Sequence, residues 1–521
     1  MRTAEIAPQT NTTRFSQMRS RLSRLPVIAV APLLVFASLM AWALASPTGS
    51  SPDDDFHLVS TWCASPNASE FCLPGTDSQS RIVPRTLVDA PCFAYKPEFS
   101  AACQKELDFT AEPTTLTTRG NFVGAYPGVY YAVMGLFASN NIEASVVAMR
   151  AFTVLLFTAF TTALFLLLPI RRRPALVWGW VLTTVPLGMF IVASNNPSSW
   201  STMGVGFGWI ALLGFFETDT DRHNRGRKIA LGAIFVLGAV MAAGSRGDGA
   251  LYSIIGIVAV GILAFSRSKR FLWEAILPFA VLVMCVLMYR FSRPVASVTE
   301  GVSSDSSHLF VTIVNNLPFV PSLWLGVLGK DWGLGWLDTS IPSIVWCVGL
   351  ACFVGVGFIG AKGLSVRRLV VLFGGTLLLF AMPAILLAAA GDNVGENLQP
   401  RYLLPLVVLF AGIMTLSSGW APNRLTRPQW ILIASALSVT QFISLYLNMQ
   451  RYVSSRENQS VNLDDDIQWW WHMSPSPMAV MIIGSVSYAA LIFIVLRQVN
   501  RAPVSETRDV SPHMQVADLR G

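Results

Sequence analysis

Long apolar runs separated by short polar connections fill most of this chain, near residues 27–46, 144–170, 174–193, 200–217, 229–244, 250–265, 271–291, 341–361, 369–390, 403–420, 431–450 and 475–496. A helix needs about 20 apolar residues to cross the hydrocarbon core. The Gly, Pro and Ser that interrupt several runs are tolerated in membrane helices. The pattern therefore predicts an all-α polytopic membrane protein of about twelve transmembrane helices. Basic residues gather in every other connection: Arg14, Arg19, Arg21 and Arg24, then Arg171 to Arg173, then Arg225, Arg227 and Lys228, and so on to Arg497 and Arg501. By the positive-inside rule these connections are cytoplasmic, with both termini inside.

That topology divides the chain into a cytoplasmic tail (1–26), a transmembrane domain (27–496) and a polar cytoplasmic tail (497–521). Of its six outer connections, three are long, at 46–143, 292–340 and 451–474. In the second, the apolar stretch 309–327 is broken by Asn315, Asn316, Pro318 and Pro321, so it re-enters or lies along the surface rather than spanning. A cleaved signal peptide ending at Ala43-Leu44-Ala45 is the rival reading of the first run, whose length favours a retained anchor.

Composition agrees with a lipid bilayer as the surroundings: 53% of residues are hydrophobic, 13% charged, and mean hydropathy is +0.52. The net charge of +7 is scattered over short loops without a contiguous basic patch, which argues against a nucleic-acid partner. Four cysteines, Cys63, Cys72, Cys92 and Cys103, fall in the first outer loop, while Cys285, Cys347 and Cys352 lie in apolar runs. Such confinement points to two disulfides in an oxidising compartment, with three pairings open. No pair has the tight spacing of a zinc site. Near the end of this loop, Tyr126-Pro127-Gly128-Val129-Tyr130-Tyr131 opens a short apolar segment, read as a juxtamembrane helix over 125–139 lying on the outer surface.

The chemistry on offer sits at the outer helix ends. Pro52-Asp53-Asp54-Asp55-Phe56-His57 places three carboxylates and an imidazole where the first run leaves the membrane, as a polar cleft would require. Arg246 and Arg401 stand at the outer ends of later helices, and a guanidinium can clamp phosphate oxygens with two parallel hydrogen bonds. The plain alternative is that Arg246 pairs with Asp248, or that both arginines snorkel to headgroups. Asn195-Asn196, Lys330-Asp331, Asp392 and Glu396 lie at the same level. In the last outer loop, Asp464 to Asp466 precede Trp469, Trp470, Trp471 and His472, either indole faces for a sugar ring or an interfacial aromatic belt.

Four motifs recur as a set: Pro52-Asp53-Asp54 with His57, Tyr126-Pro127 before an aromatic pair, Gly333-Leu334-Gly335-Trp336-Leu337-Asp338-Thr339, and Gln399-Pro400-Arg401-Tyr402-Leu403-Leu404-Pro405. In order and spacing, from about residue 30 to about 495, the chain resembles the bacterial membrane family known as domain of unknown function 2142 (DUF2142). That family looks like a branch of the GT-C glycosyltransferases, which use polyprenyl-phosphate-linked sugars on the outer face of the membrane. Asp54 stands where the family usually has Glu, and Pro127-Gly128 where it has paired prolines. The resemblance implies the bacterial cytoplasmic membrane, a GT-C-like fold, and an outer-face site with Asp53 as base and Asp54 as the second choice. It also implies a polyprenyl-phosphate-linked sugar as donor and an envelope glycan, lipid or protein as acceptor.

In such a reaction a carboxylate takes the proton of the acceptor hydroxyl while that oxygen attacks the anomeric carbon, inverting it. Cationic groups, here Arg246 and Arg401, match the charge of the departing phosphate. His57, Tyr126, Lys330, Trp336, Asp338, Gln399 and Tyr402 are the further substrate-binding candidates. Asp54 and His57 could also contribute to a divalent-metal site, which the sequence leaves unknown. The rivals are a transporter or flippase, marked by mid-helix charges and paired broken helices, and a non-catalytic scaffold for envelope assembly.

Overall fold

The computed structural model describes residues 25–292, 306–417, 425–458, 460–472 and 475–501. Most of both expected tails, with Arg14, Arg19, Arg21 and Arg24, lies outside the described residues, as do Arg424 and part of the second outer loop. The described chain is mostly helical: α1 (Leu25–Leu44), α2 (Asp54–Cys63), α3 (Val129–Met134), α4 (Ile142–Leu167), α5 (Arg173–Val181), α6 (Pro197–Glu217), α7 (Arg225–Ser245), α8 (Gly247–Ala264), α9 (Ile276–Phe291), α10 (Ser343–Gly360), α11 (Val366–Ala390), α12 (Pro400–Met414), α13 (Arg427–Val453) and α14 (Pro477–Arg501), with shorter helices between them. Nine helices among the described residues are long and apolar enough to cross a membrane, ten if one bent pair is a single span, and two shorter apolar helices cover Ala29–Leu44 and Pro400–Met414.

The bent pair is the expected span at 174–193. Ile170–Val181 and Thr184–Val192 meet at 83° rather than forming one helix. Pro186 is the reason: it has no N–H to donate and disfavours helical torsions in the residue before it, and Val185 is extended at φ −96°, ψ 130°.

Helix α6 is the centre of the bundle, with 89% of its apolar window buried, against 17% for Lys269–Phe291 at the periphery. Gly204 and Gly208 let its backbone touch that of α7. A methyl group on Gly204 would collide with the Gly238 carbonyl, and one on Gly238 would sit 2.8 Å from the Gly204 carbonyl. Small residues four apart are how helices approach closely in a medium that supplies no hydrophobic drive between them.

The first outer loop departs from an all-helical reading. It holds a small antiparallel sheet, β1 (Leu73–Pro74), β2 (Arg81–Pro84) and β3 (Thr114–Thr117), in that order, with Arg81 opposite Thr117 and Val83 opposite Thr115. Two disulfides, Cys63–Cys72 and Cys92–Cys103, settle the pairing. The helical part of 125–139 is α3 and a 3₁₀ turn, Gly135–Phe137. Its tyrosines do not float at an interface: Tyr130 and Tyr131 are buried, and Val129 packs on Gly244 of α7. The stretch 309–327 is two short helices, Ser306–Asn316 and Pro321–Gly326. Asn316 ties them to the end of α11 by donating to the Asp392 carbonyl and accepting from the Val394 N–H.

The tryptophan run is no exposed platform and no exposed belt. Trp469 and Trp471 are buried, and Trp471 Nε1 donates to the Leu44 carbonyl at 2.8 Å, closing the last outer loop onto the end of α1. Asp464 likewise accepts from Ser476 Oγ and the Met478 N–H at the start of α14, a capping role.

Candidate functional site

The site is built on the turn that follows α1. Arg150, buried in α4, donates to the carbonyls of Ala43, Ser46 and Pro47 at 2.6–2.8 Å, so it holds the turn and does not face lipid. Asn448 of α13 donates to Ser46 Oγ at 2.8 Å, and Trp336 Nε1 donates to the Gly49 carbonyl at 2.8 Å. Gly49 itself sits at φ 78° against the backbone of Pro91, where no side chain fits. Three residues further, the Pro52 carbonyl accepts from Asn196 Nδ2 at 3.0 Å and Arg401 Nη1 at 3.1 Å.

A turn fixed this firmly sends three consecutive carboxylates into three environments. Asp53 lies in the left-handed region, φ 61°, and does not cap α2. Its Oδ2 accepts from Arg401 Nη2 at 2.5 Å, Arg119 Nη2 stands 3.6 Å from its Oδ1, and the side chain remains 37% exposed. Asp54 is fully buried: Oδ2 accepts the Ser51 N–H at 3.0 Å and Oδ1 has no partner. Asp55 takes a two-pronged contact from Arg119, 2.8 Å on each prong.

Their acidities separate accordingly. Burial pushes Asp53 upward, but Arg401 and Arg119 outweigh it and hold the carboxyl below its ordinary value, ionised at neutral pH. Burial pushes Asp54 up to about 7 against the pull of Arg150 and the Ser51 N–H. Burial lowers His57 to about 3, aided by the charges of Arg401, Arg246 and Arg119 and opposed by Asp53, so its imidazole is neutral. His57 Nδ1 lies 2.9 Å from Tyr131 OH, the ring sits edge-on to Tyr126 at 5.4 Å, and Nε2 has no partner.

The second arginine closes the other side. Arg246, between α7 and α8, is buried and pairs with Asp248 through two 2.8 Å hydrogen bonds, the plain alternative for this residue. It still faces the site: its guanidinium lies 4.5 Å from the Tyr402 ring and 5.6 Å from Tyr126. Arg401 approaches the same Tyr402 ring at 5.1 Å, so two cations flank one phenol. Beside Arg401, Pro52, Gln399 and the Gly333–Gly335 turn line a cavity of about 10 Å³, space for one water.

Buried polar atoms normally have partners. Near Arg401, its own Nε, His57 Nε2 and Gln399 Oε1 have none; Asp54 Oδ1, also without a partner, is buried within the influence of Arg150.

Asp53, His57, Tyr126, Arg246, Gln399, Arg401 and Tyr402 thus converge, while Asp54 turns inward to the Ser51 N–H, near Arg150. Trp336 and Asp338 are near but engaged as supports: Asp338 accepts from Arg451 Nη2 at 3.0 Å and the Tyr95 N–H at 3.1 Å. Lys330 pairs with Asp331 and lies 5.9 Å from the Trp346 ring. Among the described residues no group of three or more His, Cys, Asp or Glu side chains is arranged to hold a metal ion, and the three aspartates diverge. Arg119 is an addition that the motifs did not mark, and Tyr131, one of the aromatic pair after Tyr126-Pro127, joins the site residues through His57. Arg119 follows β3, and its N–H bonds Thr117 Oγ1, so the small sheet delivers it to the acidic turn. Its only sequence signal is a lone cation in a Thr-rich outer loop.

A family model described as a predicted membrane protein, DUF2142, matches residues 36–410. The chain belongs to the DUF2142 family. No curated protein and no solved structure matches it. The part shared with DUF2142 runs from α1 into α12 and so contains the Asp53 turn, Arg119, Arg246 and Arg401, while α13 and α14 follow it.

Proposed function

We propose that this DUF2142 protein is a membrane glycosyltransferase that moves a sugar from a polyprenyl-phosphate donor to an envelope glycan, lipid or protein acceptor at the outer face of the bacterial cytoplasmic membrane. The observation that carries this reading is the Asp53–Arg401 pair: an ionised, part-exposed carboxylate held by a buried guanidinium, with Arg246 across the same tyrosine. The donor phosphate competes with Asp53 for Arg401. As it takes the guanidinium, the carboxylate is released beside the donor and is free to accept a proton.

The acceptor oxygen then attacks the anomeric carbon, its proton passes to Asp53, and the bond from that carbon to the phosphate oxygen breaks with its electron pair on the phosphate. The product is inverted, and no general acid is needed because the leaving group is already anionic. Arg401 and Arg246 match the phosphate charge, and a positioned cation of this kind is worth about 10²–10³ in rate. Neutral His57, through its unpartnered Nε2, is suited to orient the acceptor hydroxyl. A transporter would need mid-helix charges along a path and paired broken helices. The bundle has one bent pair among the described residues, and its buried Arg150 is engaged by backbone carbonyls.

Mass analysis of envelope glycans from cells with and without this chain tests the proposal and names donor and acceptor together. A missing sugar is expected, and an unchanged glycan profile contradicts it. Arg401→Lys keeps the charge but not the fork, and is expected to lower transfer about 10²-fold.

A further inference from the structure

A second cavity lies among the helices, and none of the residues lining it belongs to the Asp53 turn. It is a groove of about 150 Å³ walled by α1, α4, α5 and α14, with Ala31, Val35, Phe165, Val177, Ile492 and Gln498 among its lining. It follows α4 from Phe157 to Leu166 and α14 from Tyr488 to Gln498, about 15 Å at 1.5 Å per residue. That is half of the roughly 30 Å hydrocarbon core, the depth of one leaflet. An apolar cavity of this size stays dry and takes up apolar matter.

The shallow end is basic. Arg173 donates to the carbonyls of Leu166 and Leu168, with its guanidinium 5.0 Å from the ring of Phe165, a groove residue. Arg227 donates to the Leu167 carbonyl, and Arg497 is exposed beside Gln498. Arg171 and Arg172 share one carboxylate, Glu217, so they leave positive charge over at the same end.

We propose that this groove is a binding site for one anionic phospholipid, drawn from the leaflet on the Arg171–Arg173 side. One acyl chain lies between α1, α4, α5 and α14, and the phosphate sits at Arg173 and Arg497. The groove's one-leaflet length and the charge at its mouth favour this occupant over a polyprenyl chain, whose phosphate would belong at the Asp53 end. The site is separate from the proposed transfer reaction and stands or falls independently of it.

The test is native mass spectrometry of the full chain reconstituted in vesicles of equal phosphatidylglycerol and phosphatidylcholine, then extracted into mild detergent. One retained phosphatidylglycerol per chain is expected. Ala31→Trp, which fills the mouth, should reduce retention about tenfold, a 1.4 kcal/mol effect, and Val35→Phe provides a gentler filling if the first variant fails to insert. Leu33→Trp on the outer face of α1, where the side chain is 69% exposed, should retain the lipid. Arg173→Gln with Arg497→Gln should bind both lipids equally. Equal retention of phosphatidylcholine by the unmodified chain would overturn the proposal, as would undiminished retention in both filled variants or displacement of the lipid by added polyprenyl phosphate.

Discussion

At the scale of single residues, the account turns on how one backbone turn makes neighbouring aspartates chemically unlike. Asp53 is held below its ordinary pKa of 3.8 and Asp54 is raised to about 7. A pH–rate profile therefore tells which one is the base: the acid limb is expected below pH 4 if Asp53 serves and near pH 7 if Asp54 does. Asp54 has a stability signature of its own. Its folded pKa exceeds its unfolded value, so its contribution is complete below about 3.8 and is lost as pH rises through about 7. His57 has the opposite slope from about 3 to its ordinary 6.5, so the Asp54 contribution is read as a difference: thermal unfolding should show Asp54→Asn gaining on the unmodified protein as pH rises from about 4 to about 7 and levelling off above it. The motifs brought Asp53, Arg401 and Tyr402 into one expectation, and Arg246 joined them as a cation at an outer helix end, because guanidinium and carboxylate chemistry is written in residue type. Arg119 escaped because its role comes from a long-range approach, 64 residues from Asp55; the motifs held Tyr131 but not its contact with His57, 74 residues away. Lys330 pairs instead with its sequence neighbour Asp331.

At the scale of elements, hydropathy placed the helices well, because a run of apolar side chains in lipid has no other way to satisfy its backbone. What hydropathy does not carry is direction. The 83° bend at Pro186 and the three short strands, written in Pro and Thr with little apolar alternation, were invisible to it. Close packing gives a sharp check. Gly204→Leu should abolish accumulation of folded protein by forcing α6 off α7, while Gly261→Leu, with nothing within 4 Å of the new Cβ, should accumulate normally. The outer loops are clamped by Arg451 of α13, buried and bonded to the carbonyls of Phe93 and Phe99 and to Asp338. Arg451→Met leaves Asp338 buried without its cation, a loss of about 3–5 kcal/mol. Chemical unfolding should register that loss, and limited proteolysis should find the 46–143 loop more open.

At the scale of the whole molecule, the nine to ten helices long and apolar enough to span among the described residues carry a loop assembly in which both disulfides, the small sheet and the 451–474 loop close over the end of α1. Orientation is testable directly: after reduction, an impermeant thiol reagent added outside intact cells should label Cys63 or Cys103, and labelling only after lysis would invert the topology. The alternation of basic loops is what predicts this orientation, whereas the meeting of loops 46–143, 292–340 and 451–474 could not be read, since polar loop sequence carries no periodicity. The central claim, that Asp53 is the base of a sugar transfer, is tested most directly by replacing Asp53 with Asn in the native cell and analysing envelope glycans by mass. The account predicts that the variant inserts at normal levels and that its glycans lack the same sugar as cells without the chain. A normal glycan profile with Asp53→Asn would contradict it.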